Sequence, residues 1–142
     1  MPLWKIYHPA DVFTDEDKAQ LAEKITAVYG AVMPRFYVGI LFQPVDPAQF
    51  YVGGKPSGRF VRIVMEHIAR SFPSVEASRR FIDRINAILK PYVADRGLDW
   101  EFHIDETPFD YWSINGFYPP KPNTPDEIRW REENRASPRT HD

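Results

Sequence analysis

The strongest constraint on this chain is an internal repeat, in which a strand–helix–strand pattern returns after 60 residues. The first helical stripe of apolar side chains consists of Leu21, Ala22, Ile25, Val28, Tyr29 and Val32. The second consists of the residues sixty positions later, Phe81, Ile82, Ile85, Ile88, Leu89 and Tyr92. The strand that follows each helix keeps the offset, with Val38, Ile40 and Phe42 matched by Leu98, Trp100 and Phe102. The repeat predicts two similar halves, each with an amphipathic helix between two strands.

Each half is predicted to be a β-α-β unit, the first over about residues 2–43 and the second over about 60–105. Strands within a unit are expected to be parallel, because a right-handed helical crossover joins them. We therefore predict an α+β fold with a four-stranded sheet, mainly parallel within each unit, and both helices on one face. The other face of the sheet must be buried by something else, and we expect further copies of the chain to bury it.

Local signals set the expected limits of the elements. Thr14, followed by three acidic residues, is typical of a helix start, and Pro34 is expected to end that helix. The second strand is predicted over residues 36–42. Residues 1–120 are expected to form one domain, and 121–142 a proline-rich, charged extension with a short helix over 126–134. The last eight residues are predicted to be disordered.

Composition excludes several classes of function. The chain has 142 residues, no cysteine and a net charge of −2, which leaves no thiolate metal site and no global attraction to nucleic acid. No apolar run is long enough for a membrane helix, and the first residues lack the apolar segment of a secretory signal. We expect a cytoplasmic protein with no nucleic-acid or membrane partner. No strong metal-ligand spacing or phosphate-binding glycine pattern is present, so no metal or cofactor is expected.

Pro2 is the first candidate catalytic residue. Removal of Met1 by an aminopeptidase would expose Pro2 as a secondary amine. Apolar surroundings disfavour the charged form of an amine and lower its pKa, so such a group can act as a base near neutral pH. The alternative is that proline at position two has no chemical role.

Two other features can carry chemistry. Arg70 follows the third predicted strand, where loops of α/β sheets commonly hold ligands, and a guanidinium binds a carboxylate through two hydrogen bonds. An ordinary surface ion pair is the alternative for this arginine. His103, Asp105 and Glu106 form a titratable cluster after the fourth strand, where a structural network is the expected use of the two carboxylates.

These features together resemble the tautomerase superfamily, and within it the cis-3-chloroacrylic acid dehalogenase family. The resemblance runs from Pro2 to about Pro120 and includes Thr14, the Gly53-Gly54 hairpin and Arg70. The segment 100–108, together with Trp112, Asn115-Gly116 and Pro119-Pro120, is similar to a largely fungal branch of that family. The resemblance implies a homotrimer in which an amino-terminal proline is the acid/base group.

Site roles follow from the resemblance, position by position. It implies Pro2 as the proton-transfer group and Arg70 as the group that binds the substrate carboxylate. Tyr29 stands where the dehalogenase has a histidine, and His103 stands where it has a tyrosine. The second arginine of the dehalogenase falls near Pro73 and is missing. The glutamate that positions water falls at Ile114, beside Asn115, and an isoleucine cannot deprotonate water.

The sequence therefore predicts a tautomerase-like enzyme that acts on a small 2-oxo or unsaturated carboxylic acid. Pro2 would move the proton, Arg70 would bind the carboxylate, and Tyr29, His103 or Asn115 would polarise the oxo group. Dehalogenase activity itself is not expected. The alternatives are a non-catalytic trimeric binding or assembly protein on the same fold, and a decarboxylase or hydratase of a small oxo acid.

Overall fold

The computed structural model describes residues 2–140 of the chain. Its strands are β1 (Leu3–Pro9), β2 (Gly39–Val45), β3 (Tyr51–Val52), β4 (Lys55–Pro56), β5 (Phe60–His67) and β6 (Asp99–Glu106). Its α-helices are α1 (Asp15–Gly30), α2 (Val75–Leu89) and α3 (Pro125–Glu133). Among these residues, no helix is both long and apolar enough to cross a membrane.

The main sheet has the strand order β2–β1–β5–β6. β1 pairs with β2 in parallel, β5 pairs with β6 in parallel, and the two central strands β1 and β5 are antiparallel. This confirms the α+β class and the two β-α-β units. The 60-residue offset is also preserved in the structure, since α1 and α2 begin at residues 15 and 75 and β2 and β6 at 39 and 99.

Helix α1 begins where the Thr14 signal predicts, and α2 also has a side-chain cap. The Thr14 hydroxyl accepts a hydrogen bond from the Asp17 amide, and the Asp17 carboxylate accepts one from the Thr14 amide. Arg96 binds both oxygens of that carboxylate, at 2.9 Å each, which ties the start of α1 to the turn before β6. Ser74 caps α2 in the same way, through the Ala77 amide.

The two faces of the sheet differ, as the repeat predicts. Alternate residues of the central strands point into the core under the helices, and Trp4, Ile6 and Ile63 are fully buried there. The opposite face is partly exposed and carries charged pairs such as Lys5 with Glu66, whose Nζ–Oε1 distance is 2.6 Å. A single chain therefore covers one face only.

The second strand begins three residues later than predicted. Residues 35–37 form a 3₁₀ turn after Pro34, in which the Tyr37 amide donates to the Pro34 carbonyl and the Val38 amide to the Arg35 carbonyl. The turn places Tyr37 fully inside the core and Phe36 against Trp130 of α3, so burial of two aromatic rings decides the local conformation. β2 then continues through Pro44, which an edge strand tolerates.

The C-terminal extension is ordered to residue 140. The predicted short helix is present as α3, and Trp130 on it is fully buried. The Trp130 indole donates to the Ser137 carbonyl at 3.0 Å, and the Thr140 hydroxyl donates to Asp126 at 2.8 Å. The prediction of disorder is therefore wrong for residues 135–140, because side chains of α3 bind this segment. Residues 141 and 142 lie outside the described residues.

Candidate active site

A cavity of about 190 Å³ opens where β1 begins and β5 ends. Its lining includes Pro2, Tyr29, His67, Arg70, Phe81 and Arg84. Three of the five predicted site residues, Pro2, Tyr29 and Arg70, thus line the same cavity. Its remaining walls are largely aliphatic and aromatic, and they come from the end of α1, the loop after β5 and the middle of α2.

Pro2 is buried at this cavity, directly before β1. Its carbonyl accepts a hydrogen bond from the Gly39 amide at 2.9 Å, which extends the parallel ladder with β2 to the first described residue. Leu3 pairs with Glu66 in the antiparallel ladder, so Pro2 lies at the level of His67 on β5. Met1, whose removal would free the Pro2 amine, lies outside the described residues.

Tyr29 lines the cavity, and its hydroxyl has two buried partners. The side chain lies on the buried face of α1 and is 5% exposed. The indole Nε1 of Trp4 donates to this hydroxyl at 3.0 Å, and Nε2 of His67 lies 2.7 Å from it. Burial raises the pKa of Tyr29 well above its usual value, so the phenol keeps its proton at neutral pH.

His67 is a cavity residue that the sequence did not predict. It is the last residue of β5 and is 6% exposed. Burial lowers its pKa to about 4, because the charged imidazolium loses its hydration, and the nearby Glu106 opposes this only in part. The imidazole is therefore neutral at pH 7. Its position at the end of an alternating strand, opposite Pro2, is the signal that could have identified it.

Arg70 lies at the cavity, but its guanidinium already has protein partners. Nη1 donates to Glu127 Oε1 at 2.9 Å and to the Ala69 carbonyl at 3.0 Å. Nη2 donates to Glu127 Oε2 at 2.9 Å and to the Val32 carbonyl at 3.0 Å. Each Nη has two N–H bonds, so these four contacts use all of them. Arg70 thus joins the end of α1, the end of β5 and helix α3.

Glu127 is the reason that Arg70 is not a simple surface ion pair. Its side chain is 5% exposed, whereas that of Arg70 is 25% exposed. The Glu127 carboxylate also accepts a hydrogen bond from the Asn123 amide, at 2.7 Å. The C-terminal extension therefore supplies a buried carboxylate to the arginine for which the sequence predicts a substrate carboxylate.

Arg84 is a second arginine at the cavity. It lies on α2, is exposed, and has no hydrogen-bond or ion-pair partner among residues 2–140. Its donors are therefore open to a ligand, whereas those of Arg70 are mostly occupied. The sequence did not single it out, because charged residues are common on the outer faces of helices.

The two other predicted site residues lie elsewhere in the chain. His103 is on the exposed face of β6, where Arg62 Nη2 lies 2.6 Å from its Nδ1 and Asp105 Oδ2 lies 3.2 Å from its Nε2. Asn115 is exposed in the two-residue turn between Ile114 and Phe117, with a positive φ of 51°. Neither lines the Pro2 cavity within one chain, so their predicted roles stay predictions.

The two acidic residues at the end of β6, Asp105 and Glu106, have the structural roles that were expected. Glu106 accepts a hydrogen bond from the Phe72 amide at 3.1 Å, and Asp105 pairs with His103. Ile114, at the position of the water-orienting glutamate, packs against the hydrophobic core. Within residues 2–140, no three His, Asp or Glu side chains are grouped in a way that could hold a metal ion.

The family is decided by a match over nearly the whole chain. Residues 1–135 match the family model Tautomerase_3, described as "Putative oxalocrotonate tautomerase enzyme". This chain belongs to the tautomerase superfamily. No curated protein matches the sequence significantly.

Solved structures of other tautomerase-fold proteins are similar to it. Native RhCC from Rhodococcus jostii RHA1 is 43% identical, with a TM-score of 0.94, over 97% of this chain and 100% of that one. A probable enzyme from the thermophilic fungus Aspergillus fumigatus is 37% identical, with a TM-score of 0.91, over 97% of each chain. N1, a member of the cis-3-chloroacrylic acid dehalogenase family, is 20% identical and shares the fold, with a TM-score of 0.75 over 94% of this chain and 98% of that one.

Proposed function

We propose that this tautomerase-superfamily chain uses the Pro2 amine as the acid/base group of an enzyme that acts on a small 2-oxo or unsaturated carboxylic acid. The observation that carries the proposal is the burial of Pro2 at a cavity that also contains Tyr29, His67 and two arginines. A buried amine, a hydrogen-bond donor and a cation are the three groups that such a proton transfer requires.

The proposed reaction moves one proton and one double bond. In the ketonisation of an enol acid, the neutral Pro2 amine takes the proton from the enol oxygen and returns it to the neighbouring carbon. The carbon–carbon double bond is lost and a carbon–oxygen double bond forms, so atoms and electrons balance without a further reactant. We expect the apolar cavity wall to lower the pKa of the Pro2 amine, because burial penalises its ammonium form.

The arginines are the proposed carboxylate partners. Arg70 is the predicted anchor, but only its Nε–H lacks a protein acceptor among the described residues. Arg84 has the open donors and supports binding from the α2 side of the cavity. The apolar walls favour a monocarboxylate with an apolar substituent, such as the enol of phenylpyruvate, over a substrate that is charged at both ends.

The test compares two forms of the same protein, with their N-termini confirmed by mass spectrometry. The form that starts at Pro2 should ketonise the enol of phenylpyruvate, and the form that keeps Met1 should not, because its Pro2 nitrogen is an amide. Pro2→Ala leaves a primary amine and should weaken the reaction. Equal activity in the processed and blocked forms would remove Pro2 from the mechanism.

One observation favours a second candidate. Glu127 occupies the guanidinium of Arg70, as a bound carboxylate would, which fits a non-catalytic trimeric protein that keeps the fold for binding or assembly. We propose a homotrimer in either case, because one sheet face remains partly exposed in the single chain. Absence of turnover in both N-terminal forms would leave the binding protein as the better account.

A further inference from the structure

Three buried side chains form a hydrogen-bonded chain that ends at the cavity. Trp4 is fully buried, Tyr29 is 5% exposed and His67 is 6% exposed. The Trp4 Nε1 to Tyr29 Oη distance is 3.0 Å, and the Tyr29 Oη to His67 Nε2 distance is 2.7 Å. These residues come from β1, α1 and β5, so the chain of hydrogen bonds links three elements, and two of its members, Tyr29 and His67, line the cavity.

The donor and acceptor roles in this chain follow from the chemistry of the groups. An indole N–H can only donate, so Tyr29 accepts from Trp4. The hydroxyl of Tyr29 has one hydrogen to donate, and within residues 2–140 His67 Nε2 is the acceptor that it contacts, at 2.7 Å. A neutral imidazole that accepts at Nε2 carries its proton at Nδ1. The chain of hydrogen bonds therefore favours the neutral tautomer of His67 that carries its proton on Nδ1.

The remaining ring nitrogen of His67, Nδ1, is the atom through which the side chain can contact a ligand. It has no hydrogen-bond partner within residues 2–140, and it is not one of the fully buried polar atoms that lack a partner there. His67 itself lines the cavity, at the level of Pro2 on the neighbouring strand. An N–H bond in this position can donate to a molecule bound beside the Pro2 amine.

We propose that His67 Nδ1–H donates to the oxo or enol oxygen of the substrate, and that Tyr29 and Trp4 are positioning residues that hold this tautomer. The inference deepens the proposed function and rests on it. A preorganised donor stabilises the oxygen as negative charge develops on it, which is the role of an oxyanion-hole group. His67 thus takes the polarising role that the sequence assigned to Tyr29, His103 or Asn115.

The charges around His67 are consistent with a neutral donor. Glu106 on β6 is the register partner of His67 on β5. Arg70 and Arg84 line the cavity together with His67. Burial outweighs the carboxylate and keeps the imidazole uncharged at neutral pH. A neutral imidazole can donate a hydrogen bond without placing a positive charge beside the Pro2 amine. A charged imidazole would repel the ammonium that forms when Pro2 takes up a proton.

The structural half of the proposal is tested without turnover. In protein labelled with ¹⁵N-histidine, two-bond correlations at pH 7 should show the His67 proton on Nδ1, with the signal assigned by its loss in His67→Asn. Tyr29→Phe should abolish this preference. Tyr37→Phe is the matched control, because Tyr37 is also buried but its hydroxyl has no hydrogen-bond partner within residues 2–140, and Tyr37 does not line the cavity. A proton on Nε2, or a charged ring, would overturn the proposal.

The catalytic half is tested with two His67 variants that differ in one donor. His67→Ala should lower kcat for enol ketonisation by about 100-fold with a smaller change in KM, the scale for removal of one oxyanion donor. His67→Asn places an amide N–H near the Nδ1 position and should retain most of the activity. Unchanged kcat in His67→Ala would overturn the role. A correct tautomer in a wild-type protein with no turnover would instead defeat the proposed function, and the catalytic role with it.

Discussion

The pair between Arg70 and Glu127 makes a specific prediction about stability. Arg70→Ala removes the two guanidinium hydrogen bonds to the Glu127 carboxylate, whose side chain is 5% exposed in the native structure. Removal of one member of a buried ion pair typically costs about 3–5 kcal/mol, because the remaining charge is desolvated and unpaired. The Asn123 amide still donates to Glu127, so we expect a loss of about 3 kcal/mol, at the low end of that range.

The matched variant is Glu127→Ala. Arg70 is more exposed and keeps its two carbonyl acceptors, so this change should cost less, roughly 1–2 kcal/mol. The double variant should be more stable than the sum of the two losses predicts, with a coupling energy of about 2 kcal/mol. The assay is urea unfolding at a fixed protein concentration, followed by circular dichroism and tryptophan fluorescence, since Trp130 lies on the helix that Glu127 holds.

Two results would refute this reasoning. Additive losses would mean that Arg70 and Glu127 do not interact in solution. A loss below about 1 kcal/mol in Arg70→Ala would place the pair with ordinary surface ion pairs. The same variants also bear on function, because Glu127→Ala frees the guanidinium N–H donors of Arg70. If Arg70 binds the substrate carboxylate, this change should lower KM for a carboxylate substrate. If Arg84 alone binds it, KM should stay unchanged.

Other expectations follow from particular contacts. Stability should fall as the pH drops from 6.5 towards 4, because unfolded His67 binds a proton in this range and folded His67 does not. The loss is on the order of 3 kcal/mol, and His67→Asn should flatten the urea midpoint against pH. Arg96→Ala should destabilise the start of α1 by about 1 kcal/mol in urea unfolding, since Asp17 loses both bonds to the guanidinium. Sedimentation equilibrium at micromolar concentration should give three times the chain mass, and a monomer would contradict the proposed trimer. Chloride release from 3-chloroacrylates should be negligible with Ile114 in place of a carboxylate, and efficient release would show that another group activates water.

The sequence predicted the architecture because the repeat is a property of apolar spacing. Helix stripes and strand alternation record which side of each element is buried, so the offset of 60 residues and the capping signal at Thr14 carry over into the structure. The limits of β2 were less predictable, because Phe36 and Tyr37 form a turn in which their aromatic rings are packed against the core. That burial depends on Trp130, almost a hundred residues away along the chain.

The candidate site was predictable only in part. Pro2, Tyr29 and Arg70 share a cavity, as the resemblance implied. His67 could not be found from the spacing of histidines, since its role depends on a partner on α1 and on the antiparallel register. The sequence could not predict the partner of Arg70 either. Glu127 looks like an ordinary charged residue of the C-terminal extension, and only the packing of α3 against the domain brings it to Arg70.

The titration of the Pro2 amine tests the central claim most directly. The measurement follows the ¹⁵N resonance of Pro2 against pH in protein that starts at this residue. The account predicts a pKa below the ordinary α-amino value of about 7.7–8.0, with kcat/KM for enol ketonisation rising over the same pH range. A pKa at or above the ordinary value, together with a rate that does not follow the titration, would contradict it.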